Sequence, residues 1–136
     1  MPINPNYVAG LSEFQSRRQK ALIKESQKEY EKEGIVEPRP KVSGARTPRS
    51  GHVAKFEKRY GFKVTDKSKV KSLFPDTDVD TIISKGIGAY GSSGSRPNVT
   101  PHQWAYARLA SVLTGGRALK VDKDLVGPES MAKIRG

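Results

Sequence analysis

The run Gly86-Ile87-Gly88-Ala89-Tyr90-Gly91-Ser92-Ser93-Gly94-Ser95-Arg96-Pro97-Asn98-Val99-Thr100-Pro101-His102-Gln103-Trp104 decides how the chain is read. Glycine and serine fill its first half, where backbone freedom and short hydroxyl side chains favour turns. Thr100 then suits a helix N-cap and Pro101 the first helical position. The run predicts a glycine/serine loop that feeds directly into a helix. Unpaired N–H groups and the positive end of the helix dipole meet there, which favours an anion. Gly88, Ser92, Ser93, Ser95 and Thr100 are the candidate loop and helix N-terminal residues. The same composition equally describes a tight turn packed on its own helix with no ligand.

Downstream, Ala105, Leu109, Val112 and Leu113 recur at helical spacing, so a helix from Thr100 to Thr114 should bury one face. Trp104 and Arg108 stand four residues apart, close enough for the guanidinium to stack on the indole. Gly115-Gly116 ends that helix, Lys120 to Val126 reads as an extended segment or short capped turn, and Gly127-Pro128 opens a tail of low structure. Upstream, Thr77 and Asp80 form a capping-box-like pair for a helix bearing Val79, Ile82 and Ile83, with Gly86 at its C′ position. Asp66 caps a shorter helix closed by Pro75, and Phe56, Tyr60 and Phe62 read as core anchors around a helix stopped by Gly61. Residues 53–126 are therefore expected to form a small compact domain.

The preceding half reads differently. Residues 1–10 predict an extended arm. A helix over 12–32, capped by Ser12, carries only a narrow apolar stripe of Phe14, Ala21, Leu22, Ile23 and Tyr30, and Gly34 ends it. Residues 35–52, with Pro38, Pro40, Pro48, Gly44 and Gly51, predict a basic linker that builds no core. The expected fold class is mainly α with short extended segments.

The 136 residues carry a formal charge of +11 and no cysteine. That composition excludes disulfides, thiolate metal sites and cysteine nucleophiles, and two histidines are too few for a histidine-rich metal site. No apolar run approaches the roughly 20 residues of a membrane helix, and the N-terminus lacks signal-peptide features, so a cytoplasmic, soluble protein without cofactor or membrane partner is expected. From Arg39 to Lys71 eleven Lys and Arg face only Glu57 and Asp66. This belt suits nucleic acid phosphates or an acidic protein surface, and equally a solvated surface that keeps the protein soluble. Arg39, Lys41, Arg46, Arg49, Lys55, Arg59, Arg96 and Arg108 are the candidate residues for such an anionic or acidic partner.

Enzyme chemistries fit poorly. Ser92, Ser93 or Ser95 would need His52 or His102 as base, without any nucleophile elbow. Gly86, Gly88, Gly91 and Gly94 lack the Gly-Lys-Ser/Thr of a phosphate loop. Asp76, Asp78 and Asp80 lack the glycine and terminal glutamate of a calcium loop. No catalytic residue is assigned.

The motifs Lys85-Gly86-Ile87-Gly88-Ala89-Tyr90 and Ser92-Ser93-Gly94-Ser95-Arg96-Pro97-Asn98, with Thr100, Trp104, Ala107 to Ser111, Gly115-Gly116 and Val121 to Leu125, resemble an uncharacterised domain of cyanobacterial tailed phages and large algal DNA viruses. The resemblance covers about Phe56 to Val126 and leaves the first fifty residues outside. It implies a viral setting and no activity. The expectation it supports is a non-enzymatic accessory protein of the virion, made in the host cytoplasm, whose C-terminal domain docks on capsid, neck or tail proteins while residues 1–52 drape over neighbouring subunits. A basic nucleic-acid-binding protein of a DNA virus is the alternative, and an enzyme on a phosphorylated substrate a distant one.

Overall fold

A computed structural model describes residues 3–45, 47 and 50–136, and among these the chain is mainly helical. Seven α-helices follow in order: α1 (Glu13–Glu33), α2 (Gly51–Tyr60), α3 (Lys67–Leu73), α4 (Val79–Ser92), α5 (Pro101–Leu113), α6 (Arg117–Asp122) and α7 (Pro128–Arg135). Single 3-10 turns lie at Pro5–Tyr7 and Lys123–Leu125. An antiparallel bridge joins Thr77 to Val126.

Local signals set many of the helix ends. Ser12 accepts from Gln15 N while the Gln15 side chain returns to Ser12 N, a complete capping box worth about 1 kcal/mol. Thr100 and Gln103 repeat it at α5, at 3.1 and 3.0 Å. Asp66 caps α3. Gly34 and Gly61 close α1 and α2 in the left-handed region, at φ 68° and 78°, where a Cβ would be strained.

The chain divides into two compact units. The first joins Met1–Pro48 to Ile87–Trp104, and the second joins Arg49–Gly86 to Ala105–Gly136. This grouping cuts across the expected division near residue 52, because α4 and α5 each contribute residues to both units.

In the second unit Phe56, Val70, Phe74, Val79, Ile82, Leu109 and Leu113 are all buried. Rings of Phe56, Tyr60, Phe62 and Phe74 meet edge-on or tilted at 4.8–5.4 Å, as expected for core anchors. The expected tail is instead α7, whose Ile134 is buried. Gly127-Pro128, read as a helix breaker, serves as its N-cap and first turn.

The first unit corrects the expectation of a coreless linker. Val42 and Ala45 are buried with Leu22, and Leu11 packs against them. Residues 36–45 are thus a strap laid on α1, not a free connection. Phe14, expected in the apolar stripe of α1, is 76% exposed. The buried face carries Gln19, Ile23 and Gln27 at successive intervals of four, one stripe of a helix in which two of three side chains are polar.

Gly86 does not end α4, which runs to Ser92 through Gly86, Gly88 and Gly91. A Cβ at Gly86 would lie 2.7 Å from Ala105 Cα, and one at Gly91 would lie 2.8 Å from both Tyr30 and Val36 side chains. These glycines permit close packing rather than a turn.

Candidate functional site

The expected glycine/serine loop shortens to residues 93–100, within the first unit. Its backbone supplies acceptors to the polar stripe of α1. Gln19 Nε2 donates to Ser95 O at 2.8 Å and Gln27 Nε2 to Ser93 O at 2.9 Å. Gly94, at φ 127°, lies against Ile23 between them, where a Cβ would sit 3.0 Å from Ile23 Cγ2. The stripe is therefore satisfied by hydrogen bonds instead of apolar contact.

The second half of the loop holds the strap. Asn98, in the left-handed region at φ 60°, accepts from Val42 N at 2.8 Å and donates to Ala45 O at 2.9 Å. Thr47 Oγ1 donates to Pro97 O at 2.6 Å. The motif Ser93 to Asn98 thus binds segments of its own chain on both sides.

Between these two sets of bonds lies Arg39. Its guanidinium sits 3.7 Å from the centre of the Tyr90 ring. Nη1 donates to Ser26 Oγ at 2.9 Å and Tyr90 O at 3.0 Å, and Nη2 donates to Ser95 Oγ at 2.8 Å. Ser95 Oγ donates onward to Arg96 O at 2.8 Å. The fully buried Tyr90 accepts from Arg39 N at 3.0 Å and donates to Val99 O at 2.8 Å. Every acceptor is neutral. Arg39 Nε is buried without a partner. Burial pulls the guanidinium below its ordinary pKa, against the opposing influence of Tyr90 and Tyr7. Burial likewise pushes the Tyr7 phenol up, and Tyr7 meets Trp104 edge-on at 5.6 Å.

The other candidate residues scatter. Lys41, Lys55 and Arg96 are exposed, whereas Arg46 and Arg49 lie outside the described residues. Arg59 donates to Lys133 O and Ile134 O at 2.7 and 2.8 Å, which closes the C-terminus of α7. Arg108 does not stack on Trp104. Its Nε and Nη2 grip Asp122 Oδ2 and Oδ1 at 2.8 and 2.9 Å, with Lys85 3.5 Å from the same carboxylate. Burial pushes the Asp122 carboxyl up, but Arg108 and Lys85 outweigh it and hold the group below the usual carboxylate range. Gly88 and Ser92 belong to α4, and Thr100 spends its hydroxyl on capping α5.

The acidic trio also disperses. Asp76 accepts from the N–H groups of Glu129 and Ser130 at 2.8 and 3.0 Å and from Ser130 Oγ, capping α7. Asp78, rather than Thr77, caps α4 by accepting from Thr81 N at 3.2 Å. Asp80 lies 2.5 Å from Lys67 Nζ and 2.7 Å from Lys71 Nζ, whose hydrogen bonds hold its carboxyl down at about 2. Among the described residues no three His, Cys, Asp or Glu gather as a metal site, and no helix is long and apolar enough to cross a membrane.

Tyr90 and Asn98 stand in the motifs that carry the resemblance, whereas Ser26, Gln19 and Gln27 belong to no motif in the sequence. Two polar residues on the buried stripe of α1 were the available signal.

The model of a family of unknown function, DUF5824, matches residues 4–126, and the chain belongs to that family. The match takes in most of the first fifty residues, which the resemblance had left out, in keeping with the bonds between strap and loop. No curated protein and no solved structure matches the chain.

Proposed function

We propose that this member of a family of unknown function is a non-enzymatic accessory protein of a virus particle that docks on an acidic surface of a capsid, neck or tail protein. The observation that carries the reading is the use of the Ser93–Asn98 polar groups within the chain. Ser93 O, Ser95 O, Ser95 Oγ, Pro97 O and the Asn98 amide all bond to α1, the strap or Thr47 just beyond it. A motif committed to holding its own fold has no such groups left for substrate chemistry. Recognition then rests on charge: the span of the second unit holds fifteen Lys and Arg against eight Asp and Glu. The resemblance to a domain of phage and algal viruses supplies the viral setting. Docking needs no draped arm, because the strap is already held by its own chain.

Mass spectrometry of purified particles tests the reading. The protein should be present in many copies, and its absence from intact particles overturns the proposal. The same surplus supports nucleic-acid binding as a second reading. That alternative requires DNA affinity that falls steeply with salt, at about one counterion per neutralised phosphate.

A further inference from the structure

Among the described residues two arginines, Arg39 and Arg108, are half-buried and are completed differently. Arg108 presents its Nε and Nη2 as a side-on fork, and the fork is filled by the Asp122 carboxylate. Arg39 is more elaborately held, by Ser26, Ser95, the Tyr90 carbonyl and the Tyr90 ring, yet its Nε has no acceptor and no carboxylate pairs with it among the described residues. A desolvated cation surrounded by neutral acceptors is destabilising unless something compensates it, and an orphaned buried donor requires an explanation. Holding the group rigid in advance lowers the entropy lost when a partner arrives.

We propose that Arg39 is a socket for one carboxylate of a docking partner, an Asp or Glu side chain taken by the unpartnered Nε and by Nη2, which Ser95 Oγ holds in the free chain. The inference rests on the reading of the chain as a docking protein for an acidic surface, and names the residue where the acidic group is received. A flat carboxylate matches the two parallel N–H groups of a side-on fork. The exposed lysines, by contrast, suit a phosphate backbone, which needs only point charges. Nε is closed to water in the free chain, so the entering carboxylate opens the local cover as it binds.

The test is side-chain Nε–Hε NMR on the full-length wild-type chain, titrated with tri-glutamate, inorganic phosphate and a short DNA duplex in parallel. Tri-glutamate should shift the Arg39 Nε–Hε resonance and saturate it at a concentration about tenfold below that needed for exposed Arg96, the gain of a charge-assisted bond made out of water. Arg39→Lys should lose the enhanced affinity while keeping the other arginine shifts. Parallel movement of all arginine resonances means general screening and overturns the socket. A preference for phosphate or DNA over tri-glutamate overturns the carboxylate assignment. If the protein is absent from particles but the Arg39 response is seen, the virion reading fails and the socket stands. If particles contain the protein and Arg39 is silent, the reverse holds.

Discussion

Among the described residues, the second unit balances its buried charge internally, and the first does not. Asp122 is fully buried and answers Arg108 with a bidentate pair, whereas Arg39 rests among hydroxyls, a carbonyl and a ring. A filled fork is part of the fold, and removing either partner leaves an uncompensated charge. A guanidinium whose Nε is unpartnered and whose other donors meet neutral groups leaves a carboxylate partner something to gain. Proteins commonly accept such local cost where they bind.

Six substitutions and one acid titration test that contrast. Asp122→Asn should have the largest effect, a loss of about 3 kcal/mol in urea unfolding, because Arg108 keeps its charge without a carboxylate. Adding Arg108→Met to it should recover part of that loss, which distinguishes charge from packing. Asn98→Ala should remove about 2 kcal/mol from the first unit, since Val42 N and Ala45 O lose their partners and alanine tolerates φ 60° poorly. Hydrogen exchange should then rise in residues 36–45 while the second unit stays protected. Gly86→Ala sets a helix-propensity gain of about 1 kcal/mol against overpacking of about 1–3 kcal/mol. Because the contact is the Ala105 backbone at 2.7 Å, which cannot rotate away, a net lowering of the melting temperature is expected. Arg39→Met strands no counter-ion but leaves Ser26 Oγ, Ser95 Oγ and Tyr90 O without their donor, so a loss of about 1–2 kcal/mol is expected, smaller than that of Asp122→Asn. A loss comparable to Asp122→Asn would make Arg39 a structural residue and erase the contrast.

The smallest effect concerns pH. The folded pKa of Asp80, about 2, lies below the unfolded aspartate value near 3.9, so its pairing with Lys67 and Lys71 contributes fully above about pH 4 and is lost as pH falls to about 2. Asp80→Asn should flatten the acid limb of the unfolding profile over that window. High salt should weaken the effect in the wild type, because all three side chains are partly in water.

Much of the local architecture was legible in the sequence. The N-caps at Ser12 and Thr100, the stops at Gly34 and Gly61, and the apolar spacing of α5 each lie within a few residues, and short-range sterics and hydrogen bonding act over that distance. Gly86 was misread for a physical reason: the missing Cβ serves a turn and a close helix contact equally, and only the position of Ala105 separates the two. Gln19 and Gln27 made α1 look poorly amphipathic because the carbonyls that satisfy them lie 76 and 66 residues away. Arg39 and Arg108 looked alike as members of a basic sequence.

The sequence by itself determined a helical, cysteine-free, strongly basic protein with most of its helix boundaries in place, because those properties depend on neighbours along the chain. Only the tertiary structure decided which polar residues are spent on the fold, which glycines allow contact, and which buried guanidinium has a carboxylate. Those outcomes depend on partners that are distant in sequence, and burial determines how much each pairing matters.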